Sequence, residues 1–515
     1  MPAARGGRKR APSKASSSAS TEPKNKKKRG VFQLEITSPC KRKGRVYSCG
    51  QGDVGQLGLG EDVLETTKFK HVTSLKDNIV EVYAGGMHTV ALDSDGKVWT
   101  FGCNDEGALG RATADDAAAA APAPLALPRA AAAAAGDSHT AVLLATGQVF
   151  VCGTFRDSHG SMGLLAAHKA AALPVPLALP EPAAAVASGQ DHLVVLTTSG
   201  AVYTLGCGEQ GQLGRLAQRS ATRDSRHGLS TLLTPQKVSL KFPVSRIFAG
   251  FHATFAVDAN TDHMYAWGLN NYNQLGISGE NRRCAIFSPT ECDSMTLPAP
   301  APAPADAAPA PDAPPSRWGA VAAGQHHTVV LDSSGKVYCI GRCEYGRLGL
   351  GPSSGDALVL TPVSALSSVR CVCIAAGTCN SFAITDTGTI YGWGMGSEGQ
   401  LGDGASEDRD LPAIATATAA GTAPAAVAAG GQHTVVRAVL TNNEATPSPT
   451  PPVEESPAPL ELNKEETTTK STTKTNKQAN KRRNEQEAEV SSTSSAATQT
   501  KKPVCCLFYT YIIIW

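Results

Sequence analysis

Apolar and polar residues alternate along most of this chain in short runs, and the runs come in pairs around a two-residue turn. His88-Thr-Val-Ala-Leu-Asp93 and Val98-Trp-Thr-Phe-Gly102 flank Asp95-Gly96. Alternation of this length predicts strands, and the Asp-Gly between them predicts a tight hairpin. The same turn recurs as Thr146-Gly147, Ser199-Gly200, Ser334-Gly335 and Thr387-Gly388. A full copy runs from Ala84 to a closing Leu-Gly at Leu109-Gly110. The closing element recurs at Leu57, Leu109, Met162, Leu213, Leu275, Leu348 and Leu401, in steps of 52, 53, 51, 62, 73 and 53 residues. A period near fifty residues with about four short strands per copy predicts radial blades. The first and last copies are halves of one unit. Gly44–Gly50 with Gly55–Gly58 carries the second half, and Ala429–Thr434 carries the first. The expected fold is therefore all-β: a seven-bladed β-propeller over residues 44–440, closed by pairing 44–50 with 429–440.

Composition changes this picture mainly at the ends. Residues 1–45 hold 14 Lys or Arg against Glu22 and Glu35, a balance of +12, although the whole chain carries only +2. Residues 1–43 read as a disordered basic tail and 441–515 as a disordered low-complexity tail. Two stretches look like insertions into the ring, the Ala-rich 112–135 and the Ala/Pro-rich 296–316. The apolar terminal stretch 505–515 is about half as long as a spanning helix, so no membrane partner is expected. The 14 cysteines form no Cys-x-x-Cys pair and no signal peptide is evident, which points to free thiols in a reducing compartment.

Five repeat starts place His at one position: His88, His139, His192, His327 and His433. Ala253 and Asn380 fill it in the other two. Residues so spaced lie too far apart to share a metal at roughly 2 Å. They are expected to anchor a turn within their own blade, with no metal and no cofactor. Enzyme signatures are scarce. There is no phosphate-binding Gly-x-x-x-x-Gly-Lys-Ser/Thr loop and no His-Glu-x-x-His. Gly351-Pro-Ser-Ser-Gly355 has the letters of a nucleophile elbow without its strand-to-helix setting. Covalent catalysis is not expected.

Several segments go beyond a generic repeat: Gly50-Gln-Gly-Asp-Val-Gly-Gln-Leu-Gly-Leu-Gly60, Ala84-Gly-Gly-Met-His-Thr89, Ala135-Gly-Asp-Ser-His-Thr140 and Glu344-Tyr-Gly-Arg-Leu-Gly-Leu-Gly351. With these, residues 44–440 resemble the regulator of chromosome condensation family, nuclear exchange factors for the small GTPase Ran. The resemblance implies a Ran-docking set of Asp53, His88, Asp137, Asp191, Arg215, His326 and His433. One expected His is replaced by Asn273. It implies that the irregular loop Phe155, Arg156, Asp157, Ser158, His159, Gly160, Ser161, Met162 is a wedge pushed against the phosphate-binding loop of the GTPase. It implies that Arg223 and Arg226, in the insertion after Arg215, grip the acidic patch of the nucleosome. Arg suits that task because its planar fork pairs carboxylates bidentately. The basic run Lys24, Lys26, Lys27, Lys28, Arg29 reads as a nuclear targeting signal for an import receptor and as a DNA-phosphate contact. Nucleus and chromatin are the expected location. The competing reading is a propeller used only as an interaction or sensing scaffold. The photoreceptors of this fold cluster Trp before the repeat His. None of Trp99, Trp267, Trp318, Trp393 and Trp515 stands there.

Overall fold

The structure, a computed structural model, describes residues 32–166, 170–226, 228–295, 318–416 and 418–441. Its strands form seven four-stranded antiparallel blades. Blade 1 is the composite one: Thr422–Ala429, His433–Leu440, Gly44–Gln51 and Glu65–His71. Its two middle strands pair over seven consecutive positions, from Gly44 opposite Val439 to Gly50 opposite His433. The two half-repeats thus close the ring as their sequences require.

The other blades follow in chain order, each beginning at its innermost strand: Ile79–Ala84 (blade 2), Ala130–Ala135 (3), Ala183–Ser188 (4), Val244–Ala249 (5), Trp318–Ala323 (6) and Cys371–Ala376 (7). These inner strands touch one another in sequence, and the strand of blade 7 touches that of blade 1. The circle is complete. The second strand of every blade has six consecutive buried residues, because it is covered on both sides by neighbouring blades. The hairpin turns form as expected. Asp93 Oδ1 accepts from the amides of Asp95 and Lys97, both at 2.9 Å, and Gly96 takes a φ of 82°.

Three boundaries differ from the sequence expectation. Ala130–Ala135 is the buried inner strand of blade 3 rather than part of an insertion. Alanine leaves room there for Tyr83 of blade 2, whose hydroxyl accepts from Ala133 N (3.1 Å). The excursion proper is shorter, with one helical turn at Asp116–Ala120. The ring also begins earlier than residue 44. Residues 32–42 lie along it as a strap: Leu34 N donates to Thr198 O (2.8 Å), Thr37 N to Ala184 O (2.9 Å) and Cys40 N to Glu81 Oε1 (3.2 Å). Arg437, buried in the closing strand, donates to Arg42 O (2.9 Å). The Ala/Pro stretch 296–316, the basic run 24–29 and the terminal segment 505–515 lie outside the described residues. Among the described residues no helix is long and apolar enough to cross a membrane, and the cysteines carry no disulfide.

Candidate docking face

The repeat histidine does not bond within its own blade, contrary to expectation. It reaches into the next one. His88 Nε2 meets Thr140 Oγ1 at 2.9 Å, His139 meets Ser188 at 3.1 Å, His192 meets Thr254 at 2.9 Å, His327 meets Ser381 at 2.8 Å, and His433 meets Thr89 at 2.9 Å. The single proton of the Thr140 hydroxyl goes to Ala108 O (2.8 Å), so that hydroxyl accepts from Nε2–H. One hydroxyl thereby ties two points of the preceding blade. The imidazole also explains the Gly three residues earlier: a Cβ on Gly136 would lie 1.9 Å from the ring of His139.

His88 and His433, expected on the docking surface, are instead fully buried stitches between blades. Their role is to hold the ring. Burial of the neutral ring holds the pKa of His88 down to about 4, and those of His139, His192, His327 and His433 to about 3.

A pH dependence follows, with its sign set by these shifts. Between about pH 6.5 and 4 each of the five histidines takes up a proton on unfolding. Asp137, Asp191 and Glu81 are raised by burial and release protons instead. Burial also holds His252 and His326 to about 4, so histidine uptake outweighs acid release and stability should fall as the pH drops from 6.5 towards 4. Urea midpoints measured at pH 7, 6 and 5 check this. A midpoint independent of pH across that range would refute it.

In each blade the second strand leaves one face at its His and reaches the other at the hairpin turn. The loops before this strand and after the third strand therefore share a face. On it, blade 3 carries a small hairpin, Phe155–Asp157 paired with Gly160–Gly163. Phe155 and Met162 are not exposed as a wedge would need. Both are buried, with the Phe155 ring 4.6 Å from that of His139. They root the hairpin, and Ser158, His159 and Ser161 stand exposed.

The hairpin is held from four points. Arg156 N donates to Asp191 Oδ1 (2.8 Å), and its guanidinium meets Glu106 (3.0 Å). Ser158 donates to Glu209 through its amide (3.2 Å) and its hydroxyl (2.7 Å). Arg223 donates through Nε to Asp157 Oδ2 (2.6 Å) and through Nη2 to Asp157 Oδ1, and reaches Gly160 O (3.1 Å). The Asp157 side chain is only 1% exposed. Asp157, His159 and Glu209 bring ligand-type atoms within 4.8 Å of one another, but the Arg223 cation already sits on Asp157.

The other expected docking residues divide by exposure. Asp53 is exposed and accepts from Gln56 (3.1 Å). Asp137 is half-buried at the mouth of the axial pocket, lined by the inner-strand ends of all seven blades, and burial raises its pKa. Asp191 is buried, with burial first and then Asp137 raising its pKa to about 8. His326 is half-buried edge-on to Tyr272 at 5.3 Å. Arg215 points inward, donating to Thr231 O (2.8 Å) and Gln236 (3.1 Å), and burial lowers its pKa to about 10. It fastens the base of the insertion. Asn273 is likewise structural. It takes the left-handed φ of 62° that other blades give to Gly and donates to Leu358 O (2.5 Å). Arg226 is exposed.

Sequence reading missed Glu106, Glu209 and Tyr345. Each lies in the variable pair before the Gly of the Leu-Gly loop, where the repeat sets no residue. Tyr345 is exposed at φ 62°, with Arg347 stacked 5.3 Å from its ring. Trp267 and Trp393 are buried and donate to carbonyls of the preceding blade, Gln212 O (2.9 Å) and Arg347 O (3.0 Å). Each is tied into its own blade seam.

A profile described as the RCC1-like domain matches residues 45–436. The regulator of chromosome condensation of Homo sapiens is 42% identical over 83% of this chain and 97% of its own length. The guanine nucleotide exchange factor SRM1 of Saccharomyces cerevisiae is 28% identical over 70% of this chain and 80% of its own. Among solved structures, Prp20p of Saccharomyces cerevisiae, studied for its binding to Gsp1p and histones, superimposes with a TM-score of 0.68. It is 27% identical over 79% of this chain and 94% of that one. Yeast Prp20 bound to Kap60 gives 0.71 at 25% identity, over 84% of this chain and 98% of that one. With its ring closed across the two half-repeats and the family model matching residues 45–436, the chain belongs to the regulator of chromosome condensation family.

Proposed function

We propose that this chain is a guanine-nucleotide exchange factor for Ran that works from chromatin. The observation that carries this reading is the hairpin 155–163. The repeat does not need it, yet four side chains from blades 2 and 4 and from the insertion fix it on the loop face. Small GTPases hold nucleotide through a phosphate loop and magnesium. A rigid projection that fits the nucleotide-free form weakens nucleotide binding by linkage, and nucleotide weakens the partner's hold equally. Release then accelerates with no bond made or broken. The exposed tip at Ser158 and His159 meets the switch region, and Asp53, Asp137 and His326 contribute contact around it. Buried neutral histidines and an Asp191 engaged by a backbone amide have no acid–base part to play.

Arg226 reaches the histone acidic patch. The basic run 24–29 contacts DNA phosphates and an import receptor, which places the protein in the nucleus. The sensing alternative loses support from Trp267 and Trp393, which are buried at blade seams, and from Trp99, which bonds to Asp93 at its own hairpin turn (3.1 Å).

The test mixes the full chain with Ran carrying a fluorescent GDP analogue. Release should accelerate at least 100-fold at saturating exchange factor. A folded chain that leaves the release rate unchanged would sink the proposal.

A further inference from the structure

We infer that Arg223 is a positioning residue for the hairpin rather than a histone contact. This rests on the exchange reading above and adds a role that the family resemblance does not assign. The resemblance places Arg223 and Arg226 together as a pair facing the nucleosome. The geometry separates them.

The Arg223 fork is already occupied. Nε and Nη2 lie on the two oxygens of Asp157, and Nη2 also reaches Gly160 O across the hairpin turn. A guanidinium engaged this way has no bidentate edge left for a second carboxylate. Its partner is unusual as well. Asp157 sits on the hairpin beside the half-buried Arg156 and the exposed Ser158, yet its own side chain is 1% exposed, and Glu209 lies close by. Glu209 is occupied by Ser158, and Asp224 is exposed beside His159. In that acidic surrounding Arg223 is the cation bound to the Asp157 carboxylate. Without it the carboxylate keeps the His159 amide (2.8 Å) but no bound guanidinium, and lies close to a second acid. The usual relief is for the segment to swing out into water. Arg156 and Ser158, held by Glu106, Asp191 and Glu209, would then lose their common support on the insertion side. Arg226, three residues on, is exposed and free to face outward.

The experiment compares Arg223→Ala, Arg223→Lys and Arg226→Ala in the full chain. Arg223→Ala should lower kcat for Ran exchange about tenfold with KM changed less than twofold, because the docking loops remain. Arg223→Lys should recover most of that loss. Nucleosome binding should stay within twofold for Arg223→Ala and fall at least tenfold for Arg226→Ala. Deuterium uptake by the peptide spanning 155–163 should rise in Arg223→Ala, with thermal unfolding of the ring unchanged. That readout needs no GTPase, so it separates failure of this inference from failure of the exchange reading. An unchanged uptake, or a tenfold loss of nucleosome affinity in Arg223→Ala with kcat intact, would overturn it.

Discussion

Ending the chain at Ala429 should leave no folded ring. The deletion removes the closing strand His433–Leu440 and with it seven consecutive pairings to Gly44–Gly50. It also strips cover from Val46, Tyr47 and Val427, since Val435, Val436 and Ala438 are wholly buried among them. Burying each of the two valines contributes about 1.5–3 kcal/mol, before the exposed strand edges and the lost His433 stitch are counted. Against a net stability of about 5–15 kcal/mol, a loss spread over a whole strand is not survivable. Circular dichroism and thermal melting of the truncated chain, beside one ending at Thr441, test this. A cooperative melt of the shorter chain at the temperature of the longer one would show that closure does not hold the ring.

The second large effect concerns exchange and spares the fold. Replacing Arg156–Ser161 by a short Gly-Ser turn, with Phe155 and Met162 kept, should cut exchange about 100-fold, or roughly 3 kcal/mol of barrier. The two retained residues are the buried roots of the hairpin, so the blade keeps its packing. What is removed projects into solvent or pairs at the surface, apart from the Asp157 side chain, which is 1% exposed and covered by Arg223. Exchange kinetics alongside thermal melting would separate the two consequences. Activity within threefold of the parent would mean that the hairpin tip takes no part in release.

Much of this fold was legible because a ring of blades writes its period into the chain. The Leu-Gly spacing predicted seven blades, and the split repeat predicted which strands close them. What stayed hidden were relations across blades. The partner of each repeat histidine lies in the next blade, 49–62 residues on for four of them and 344 away for His433, so nothing local marks Thr140 as the acceptor for His88. Arg223 and Asp157 are separated by 66 residues, and only the folded chain joins them. Burial misled in the opposite direction at Phe155, where an aromatic in an irregular loop reads as a projecting tip but packs on His139. Six alanines in a row obscured the strand due there, because they lack the large apolar side chains that mark a buried strand; the strand forms nonetheless. Asn273 reads as a missing histidine, although it answers the backbone demand met elsewhere by glycine.

The strap gives the molecule a front and a back. Phe32, where the described chain begins, lies beside Gly200 in a hairpin turn, at the end of its blade remote from the loops that carry Asp137 and the hairpin. The strap thus begins at the rear of the wheel, and Arg437 pins it to the strand that shuts the circle. Whatever binds at that end leaves the front clear. Residence on one ligand and turnover of another need not compete for the same surface.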